Sequence, residues 1–494
     1  MENGKTMDSG SPGSREWATP RAGDVPLAVD LDGTLIRSDL LWESFAATVS
    51  RKPWLLLRIP FWMLSGRVVL KENLAREGPV DETRLPYREE VVEWLRAERA
   101  NGREIAIATA SHETLAWRVA KHLGFVGRVF ATKDNVNLKG EAKRAALVAA
   151  YGEGGYDYLG DSTADLPAWR STRLAHVAGS AALAATVRGE GKPGREFPRT
   201  TRVLAPLVRL LRPHQWVKNL LLLVPVVTAH RVADAQSLAH AAYAVASFCL
   251  AASAVYVVND FADLDSDRRH PDKRARPLAS GDLGLAWTVL LVPALLAGAA
   301  LLAAPLPRDF HVALLSYLAA TLLYTFSLKR LAVLDVLGLA ALYTLRIFAG
   351  AAAIGVPLSP WLLGFSMFLF LSLAFIKRYT ELASLADGGS GEAAAAGRGY
   401  RAQDLPVVGA MGASSGYLAV LVFALFITSA DTLVHYRHPA VLWAAPCLLL
   451  YWITRAWLLT YRREMASDPV TFALADRSTY AVLAGMLATV FFAT

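Results

Sequence analysis

The sequence predicts a two-domain protein, in which a soluble α/β domain precedes an all-helical membrane domain. Of the 494 residues, 54% are hydrophobic and only 19% are charged, whereas soluble domains average about 25% charged residues. The mean hydropathy is +0.32, and the apolar residues are concentrated after position 200. Before that position, short apolar strands alternate with helical stretches, which is typical of a parallel sheet covered by helices.

Composition divides the chain into four parts. Residues 1–23 are polar, rich in Gly and Ser, and without an apolar signal-peptide core, so we expect a disordered tail there. Residues 24–188 form the α/β domain, and the polar, Gly- and Pro-containing residues 189–205 are predicted to be a linker. Residues 206–494 form the membrane domain. Strands of the α/β domain are predicted at residues 27–29, 104–108, 156–159 and 174–178.

Nine apolar stretches follow residue 212, most of them long enough to cross about 30 Å of hydrocarbon. The connections after the second, fourth, sixth and eighth stretches carry most of the Lys and Arg residues. The positive-inside rule therefore places these connections and the front domain in the cytoplasm, and the C-terminus on the opposite side of the cytoplasmic membrane. The stretches are centred near Leu222, Val245, Leu295, Leu318, Leu342, Phe368, Val420, Leu448 and Leu487.

Charge and cysteine content exclude other classes of protein. The formal net charge is +8, but basic loops are usual in membrane proteins, and the sequence contains no nucleic-acid-binding motif. We therefore predict no nucleic-acid partner. Cys249 and Cys447 lie in apolar runs without a CxxC motif, so neither a disulfide framework nor a zinc site is indicated.

Residues 54–70 are apolar but are interrupted by Arg58, Pro60 and Arg67. Two charges and a central proline make this stretch a poor membrane span. We predict that it belongs to a helical cap of the soluble domain. A helix lying in the membrane interface, with Trp, Phe and Arg side chains, is the alternative.

Acidic residues follow two predicted strands of the front domain, in AVDLDGTL at 28–35 and in GDSTAD at 160–165. Two carboxylates in different environments can divide nucleophilic attack on phosphorus and proton transfer between them. Asp, Gly and Ser also favour turns, so each motif alone is consistent with a structural role. With a hydroxyl and an amine at the ends of other elements, the candidate site comprises Asp30, Asp32, Thr109, Lys143, Asp161 and Asp165.

In order and context these residues resemble the haloacid dehalogenase superfamily, specifically its phosphoserine-phosphatase-like members, which carry a helical cap between the first two motifs. The resemblance covers residues 24–185 and implies a Rossmann-like α/β fold. It implies that Asp30 is the phosphoaspartyl nucleophile and Asp32 the general acid and base. Thr109 would bind the phosphoryl group, and Lys143 would neutralise it. The implied Mg²⁺ site comprises Asp30, Asp32, Asp161 and Asp165.

A second acidic motif, NDFADLDSD at 259–267, ends the second apolar stretch. If the helix continues, Asp260, Asp263 and Asp267 share one face. Like charges repel, so the arrangement needs a cation, and hard oxygen ligands suit Mg²⁺. Alone, the basic run that follows would contact lipid headgroups. Next to the carboxylates it is better interpreted as a diphosphate clamp, formed by Lys273, Arg274 and Arg276.

The NDxxDxxxD pattern, the nine spans and the cytoplasmic site resemble the UbiA superfamily of intramembrane prenyltransferases over residues 205–494. Arg346 falls within a span, where an unpaired charge is costly, so it is a functional candidate. The resemblance implies Mg²⁺-diphosphate ligands at Asn259, Asp260, Asp263 and Asp267. Further candidate substrate-binding residues are Arg212, Gln215, Lys218, Asn219, Tyr324, Lys329, Asp335 and Arg346.

The connection after the sixth span departs from the aromatic prenyltransferases of this superfamily, which resemble one another in a second DxxxD motif. Guanidinium and ammonium groups favour an anionic second ligand, such as a lipid phosphate, over a neutral phenol. With RPHQWVKN at 212–219 and HPDKRARP at 270–277, the chain resembles the decaprenyl-phosphate phosphoribosyltransferase branch. In place of the acidic motif it offers Lys377, Arg378, Tyr400, Arg401 and Asp404.

The two resemblances together imply a bifunctional enzyme with Mg²⁺ in both domains. The membrane half would transfer 5-phosphoribosyl from phosphoribosyl diphosphate to a polyprenyl (decaprenyl) phosphate, and the front half would remove a phosphate from the product. One alternative is a prenyltransferase that uses a polyprenyl diphosphate and an aromatic acceptor, beside a phosphatase of separate substrate. Another is a non-enzymatic lipid-binding scaffold. The sequence also leaves open whether the chain forms a homo-oligomer.

Overall fold

The computed structural model describes residues 25–134, 136–199, 203–387, 399–429, 436–465 and 469–493. The predicted tail, residues 1–23, lies outside the described residues. The chain divides into two compact units. The first comprises Met1–Pro206 with Ala262–Ala286, and the second comprises Leu207–Phe261 with Trp287–Thr494. The acidic connection after the second predicted span therefore belongs to the front unit.

The front unit is built on a parallel six-stranded sheet of order β3-β2-β1-β4-β5-β6, which confirms the predicted α/β class. Strand β3 was not predicted from the sequence. The predicted linker is wrong for the residues of β6, because Ala175 N donates to Lys192 O, and Phe197 N to Val177 O, across the sheet edge. The strands are β1 Leu27–Val29, β2 Ile105–His112, β3 Arg128–Thr132, β4 Asp157–Gly160, β5 Ala175–Val177 and β6 Pro193–Glu196.

Apolar side chains alternate between the two faces of the sheet, and helices cover both faces. Leu27 and Ile107 pack with residues of α4 and α5 in one core, whereas Ala28 and Tyr158 pack with residues of α6, α7 and α8 in the other. The helices are α1 Leu40–Arg51, α2 Ile59–Leu64, α3 Arg67–Glu77, α4 Glu89–Ala100, α5 Glu113–Leu123, α6 Glu141–Tyr151, α7 Leu166–Arg170 and α8 Ala181–Gly189.

Helices α1, α2 and α3 lie between β1 and β2, where the cap was predicted, and a 3₁₀ helix, Pro53–Leu57, joins α1 to α2. Residues 54–70 are thus helical parts of this region. Their outer surface is apolar, because large side chains are exposed there rather than buried. Contact of this surface with a membrane stays a prediction. The exposed side chains are Trp54, Leu56, Leu57, Phe61, Met63 and Leu64.

The second unit is helical, and six helices in the described residues are long and apolar enough to cross a membrane. Two further apolar helices, α13 and α20, have 17 residues each. Nine spans are therefore not confirmed. The remaining α-helices of the described residues are α9 Leu204–Leu211, α10 Val224–Thr228, α11 Ala235–Ala262, α12 Leu264–Arg269, α13 Trp287–Ala303, α14 Arg308–Phe326, α15 Leu334–Ile354, α16 Pro360–Asp387, α17 Leu405–Ile427, α18 Ala444–Tyr461, α19 Pro469–Ala475 and α20 Arg477–Ala493.

The first predicted span, around Leu222, is not one long α-helix. Residues Pro213–Leu223 form a 3₁₀ helix, and the five-residue α10 follows it. Pro225 has no backbone N–H, so it cannot bond back to the preceding turn, which favours a break there. The stretch is apolar, but an apolar composition does not determine the conformation of the backbone.

A buried ion cluster supports the front unit at the start of β4. The Asp157 carboxylate is fully buried and accepts hydrogen bonds from Arg173 Nε at 3.0 Å and from the Arg103 guanidinium. Burial alone would raise the pKa of Asp157, but the hydrogen bonds and positive charges of Arg173 and Arg103 hold this pKa well below its usual range. The carboxylate therefore stays charged between two guanidinium groups.

We expect Asp157→Asn to destabilise the front unit by about 3–5 kcal/mol, because the buried Arg103 guanidinium and the half-buried Arg173 guanidinium lose a shared counter-charge. Thermal unfolding of the full chain in detergent would show the lower midpoint. The matched control is Glu153→Gln, which removes a 58% exposed partner of Arg144. Because the folded-state pKa is depressed, the stabilisation is present above the unfolded pKa of about 3.9 and is lost as the pH falls through the folded-state pKa. Equal midpoints for the two variants would contradict the prediction.

Candidate active sites

The sheet brings three predicted carboxylates together. Asp30 follows β1 and Asp161 follows β4, and these neighbouring strands lie where the strand order reverses, the usual ligand position in such sheets. Asp30 N donates to Leu159 O at 2.8 Å, which joins the two strand ends. One carboxylate oxygen from each of Asp30, Asp161 and Asp165 lies within 4.8 Å of the others.

Lys143, predicted from its helix start, is the cation of this site. Its buried Nζ lies 3.1 Å from Asp30 Oδ1 and 2.9 Å from Asp165 Oδ1. It also donates to the hydroxyl of Tyr158 at 2.8 Å, and that hydroxyl donates to Asp165 Oδ1 at 2.7 Å. Tyr158 was not predicted. The lysine is thereby held between two carboxylates by contacts that fix its position.

The charges of the site are not balanced by Lys143 alone. Burial, followed by repulsion from Asp165 and Asp161, raises the pKa of Asp30 well above its usual value despite the attraction of Lys143. Burial and repulsion from Asp165 raise the pKa of Asp161 to about 6. The cluster carries more negative charge than Lys143 balances. Its carboxylate oxygens are the hard ligands that Mg²⁺ prefers. Asp30, Asp161 and Asp165 are the residues that would hold it.

Asp32 lies outside this three-carboxylate cluster of the described residues, although it was predicted with the metal ligands. Its Oδ2 accepts hydrogen bonds from Ser111 Oγ at 2.6 Å and from Thr109 Oγ1 at 3.2 Å. Its Oδ1 accepts a hydrogen bond at 2.8 Å from the backbone N–H of Leu40, the first residue of α1. These donors orient one carboxylate separately from the others, as a distinct acid and base role requires.

Two residues near Asp32 escaped the sequence analysis. Ser111 is two residues after Thr109 on β2, and the period of two along a strand is a signal that could have found it. Lys71, on α3 of the cap, donates from Nζ to Ala110 O at 2.5 Å and to Asn137 Oδ1 at 2.7 Å. No local pattern indicates Lys71. A small cavity in this region is lined by Leu41, Ser44, Lys71, Leu74, Ser111, His112 and Leu115.

In the second unit, the acidic motif begins in the last turn of α11. Asp260 is buried there and forms an ion pair with the predicted Arg212. The Arg212 guanidinium also lies 5.2 Å from the ring centroid of Tyr256, one turn before Asp260. Asn259 is half-buried beside it. Two candidates from separate parts of the sequence therefore form one charged pair.

The helix does not continue through the acidic motif as expected. Helix α11 ends at Ala262, and Asp263 stands at the N-cap position of α12 with φ −94° and ψ 10°. In the front unit, Asp267 Oδ2 accepts a hydrogen bond from Arg276 Nη1 at 2.6 Å. The continuous helix on which the one-face placement depended is therefore interrupted at Asp263, and the joint binding of Mg²⁺ by these carboxylates stays a prediction. A carboxylate and a residue of the predicted diphosphate clamp are paired instead.

Arg346 is buried within α15 and is surrounded by polar and aromatic partners. It donates to Asn219 Oδ1 at 3.0 Å, to Leu342 O at 2.6 Å and to the hydroxyl of Tyr317 at 2.9 Å. The rings of Tyr317 and Tyr343 lie 4.7 and 5.4 Å from its guanidinium. Tyr343 lies three residues before Arg346, a helical spacing that sequence reasoning could have used.

Lys218 lies near the same group, with Nζ 5.9 Å from the Tyr343 ring centroid. Its neighbour Asn219 uses its amide oxygen for Arg346 and donates from Nδ2 to Cys249 Sγ at 3.4 Å. The 3₁₀ segment that replaces the first predicted span thus brings Lys218 and Asn219 beside Arg346. Three predicted substrate-binding residues meet in one basic, aromatic-lined cluster.

Asp335, Arg378 and Tyr400 form a second cluster, which is buried. Arg378 Nη2 lies 2.6 Å from Asp335 Oδ2, and both side chains have 0% exposure. The Tyr400 hydroxyl donates to Asp335 Oδ1 at 2.8 Å and accepts from Val333 N at 2.7 Å. Val333 has φ +68°, a strained value for a β-branched residue. This network fixes the chain before α15, and contact of its members with substrate stays a prediction.

The other predicted residues occupy varied positions. Arg401 is exposed, and its backbone N–H donates to Asp404 Oδ2 at 2.8 Å, a local helix cap. Arg274 is exposed and Lys273 half-buried in the connection that belongs to the front unit. Their substrate contacts stay predictions, as do those of the half-buried Gln215, Tyr324, Lys329 and Lys377.

Both halves of the chain match protein families. Residues 222–481 match the UbiA prenyltransferase family. Residues 27–170 match the haloacid dehalogenase-like hydrolases. A UbiA homolog from Archaeoglobus fulgidus bound to GPP and Mg²⁺ has a TM-score of 0.45 and 18% identity, covering 57% of this chain and 99% of its own.

Curated relatives cover either most of the chain or a little more than half of it. The protein y4nM of Sinorhizobium fredii is 37% identical over 465 residues, 92% of this chain and 88% of its own length. The nodulation protein NoeC of Azorhizobium caulinodans is 37% identical over 56% of this chain and 89% of its own length. The decaprenyl-phosphate phosphoribosyltransferase of Mycolicibacterium smegmatis is 31% identical over 58% of this chain and 91% of its own length.

Gly33 limits the space beside the acidic cluster. It has φ +76°, and a Cβ atom at this position would lie 2.1 Å from Asp161 Oδ2. Any side chain would therefore displace a proposed Mg²⁺ ligand. Gly124 has almost the same φ, +74°, with no heavy atom within 4 Å of the corresponding Cβ position.

We expect Gly33→Ala to reduce Mg²⁺-dependent hydrolysis of a soluble phosphomonoester about 100-fold, because the carboxylate must move by an ångström or more. The half-saturating Mg²⁺ concentration should rise as well. Gly124→Ala bears similar backbone strain in open space and should retain both values within about twofold. If the two variants behave alike, backbone strain rather than displacement of Asp161 is responsible.

Proposed function

Because the chain belongs to the UbiA prenyltransferase family and carries a haloacid dehalogenase-like hydrolase domain, we propose that it makes a polyprenyl-phosphoryl ribose by two steps. The chain is a multi-pass membrane enzyme with a fused hydrolase-like domain. The membrane half transfers 5-phosphoribosyl from phosphoribosyl diphosphate to a polyprenyl phosphate. The front half then removes the 5-phosphate. Both active sites face the cytoplasm in this proposal.

The similarity to the Mycolicibacterium smegmatis decaprenyl-phosphate phosphoribosyltransferase, over nearly the whole of that protein, carries the transferase assignment. The Arg346 cluster supports it, because Lys218, Arg346 and the hydroxyl of Tyr317 offer cationic and polar groups to an anionic ligand. In the transfer, the bond between the anomeric carbon and the diphosphate breaks, and a lipid phosphate oxygen bonds to that carbon. Basic groups stabilise the departing diphosphate while positive charge builds on the sugar.

The geometry of the acidic cluster supports the phosphatase step. Bound Mg²⁺ would neutralise charge on the phosphoryl group. Asp30 attacks phosphorus, the bond to the ribose oxygen breaks, and Asp32 donates a proton to that oxygen. Asp32 then takes a proton from water, which hydrolyses the aspartyl phosphate and releases inorganic phosphate. Lys143 holds Asp30 in place, while Ser111 and Thr109 orient Asp32.

Fusion of the two activities has a physical advantage. The product of the transfer is anchored in the membrane by its lipid, and the phosphatase domain is attached to the same chain. The effective concentration of the second active site is therefore higher than that of a separate enzyme. The Sinorhizobium fredii relative matches 92% of this chain, so it shares both halves.

The transferase is tested with the purified full chain in detergent, Mg²⁺, labelled phosphoribosyl diphosphate and decaprenyl phosphate. We expect a labelled lipid whose mass is that of the ribosyl product. Asp260→Asn, which removes the charge facing Arg212, should reduce lipid labelling by about 10²-fold or more. Labelling only with a polyprenyl diphosphate and an aromatic acceptor would overturn the proposal in favour of prenyl transfer.

The phosphatase step is tested in the same assay with Asp30→Asn. Because the nucleophile is lost, we expect the lipid to keep its 5-phosphate, with phosphate release reduced about 10³-fold or more and the initial rate of labelling unchanged. Glu141→Gln, whose carboxylate is 74% exposed, serves as the matched control. A ribosyl lipid without the 5-phosphate from Asp30→Asn would refute this role of the front domain.

A further inference from the structure

The acidic connection of the membrane half is anchored to the cap of the front unit by a buried ion pair. Arg268, on α12, donates from Nη1 to Glu43 Oε2 at 2.9 Å and from Nη2 to Glu43 Oε1 at 2.7 Å. Its Nε donates to Ala279 O at 3.0 Å. The two side chains are 8% and 2% exposed. The fork fixes orientation as well as distance, because two parallel hydrogen bonds join the same two groups.

Further contacts join the rest of the connection, Ala262–Ala286, to other residues of the front unit. Leu278 and Leu283 are buried, each with 1% exposure. Gly281 has φ +74°, and a Cβ there would lie 2.7 Å from Arg37 Cβ, so the backbone passes close to the segment that precedes α1. Arg37 also lies 3.7 Å from Asp282. These contacts explain why Ala262–Ala286 belongs to the front unit although it interrupts the membrane half in sequence.

Helix α1 contacts Asp32 and Arg268 through residues one turn apart. Its first residue, Leu40, donates its N–H to Asp32 of the phosphatase site. One turn later Glu43 holds Arg268, which follows directly after Asp267 in the chain. Asp267 is one of the predicted diphosphate-Mg²⁺ ligands and is paired with Arg276. The cap therefore holds Arg268, the chain neighbour of a predicted transferase ligand.

We propose that Glu43 and Arg268 are positioning residues for the transferase, and that the cap serves as the platform that presents Asp263 and Asp267 to the diphosphate of the donor. The inference rests on the proposed transferase function. Glu43 is buried and charged but belongs to no phosphatase step, so the ion pair gives this residue a role. The front domain is then required for transfer through its fold and not through its own chemistry.

The test is a double-mutant cycle of Glu43→Gln, Arg268→Gln and the combination, assayed as full chains in detergent. Each single variant should raise the KM for the donor and the half-saturating Mg²⁺ concentration about tenfold, the effect expected for partners that orient metal ligands. The value of kcat should change less. The double variant should be no worse than the more impaired single variant, because both changes remove one interaction.

Several matched variants separate positioning from general damage. Arg269→Gln removes the neighbouring, exposed arginine that pairs with Asp265 on its own helix, and it should retain wild-type values. Arg268→Lys keeps the charge but loses the fork, and it should be intermediate. Arg268→Gln should leave hydrolysis of a soluble phosphomonoester unchanged, which also verifies that the cap is folded. Asp30→Asn should leave the donor KM unchanged.

The outcomes distinguish this inference from the proposed function. If the wild-type chain labels lipid only from a polyprenyl diphosphate, the proposed function fails, and the same cycle is measured with that donor. If Arg268→Gln matches Arg269→Gln, or if the effects of Glu43→Gln and Arg268→Gln on KM are additive, the positioning role is overturned. Loss of phosphomonoester hydrolysis together with transfer in Arg268→Gln would also overturn it, because the pair would then only maintain the fold.

Discussion

The structure depends on the pairing of buried charge. In the front unit, Lys143 stands between Asp30 and Asp165, and without this cation a cluster of carboxylates could not be buried at the end of a parallel sheet. The pairing remains incomplete, since the pKa values of Asp30 and Asp161 are raised. A site with this excess of negative charge is suited to a divalent cation, which could in turn attract an anionic phosphoryl group.

In the membrane half, the buried charges that need partners are positive. Arg346 and Arg378 lie in apolar helices, where an isolated guanidinium is costly, and each is surrounded by partners from other elements. Asn219 and Tyr317 accept hydrogen bonds from Arg346, whereas Asp335 forms an ion pair with Arg378. The two arginines differ in the charge of their partners. Arg378 is neutralised by a carboxylate, but the described partners of Arg346 are neutral, so Arg346 offers net positive charge to an anionic ligand.

The connection between α11 and α13 belongs to one unit by sequence order and to the other by its contacts. Sequence order assigns it to the membrane half, while its buried leucines and the Arg268–Glu43 pair assign it to the front unit. A fusion of two enzymes could consist of independent domains on a tether. Here the unit that carries the phosphatase-like site also includes Asp263 and Asp267, which are predicted ligands, and this supports the proposed positioning role of the front domain.

The sequence by itself determined the parallel sheet, the carboxylates Asp30, Asp161 and Asp165, and the helical membrane half, because strand periodicity, strand-end motifs and long apolar runs are local signals. The tertiary structure decided what depends on distant partners. No local sequence pattern indicates the contacts of Lys71, the break of the helix at Asp263 or the 3₁₀ segment before α10. The same holds for the Glu43–Arg268 pair, whose residues are 225 positions apart. Burial selects such partners only once the chain has folded, since a charged group can be enclosed only where a counter-charge or a hydrogen-bonding group arrives from elsewhere.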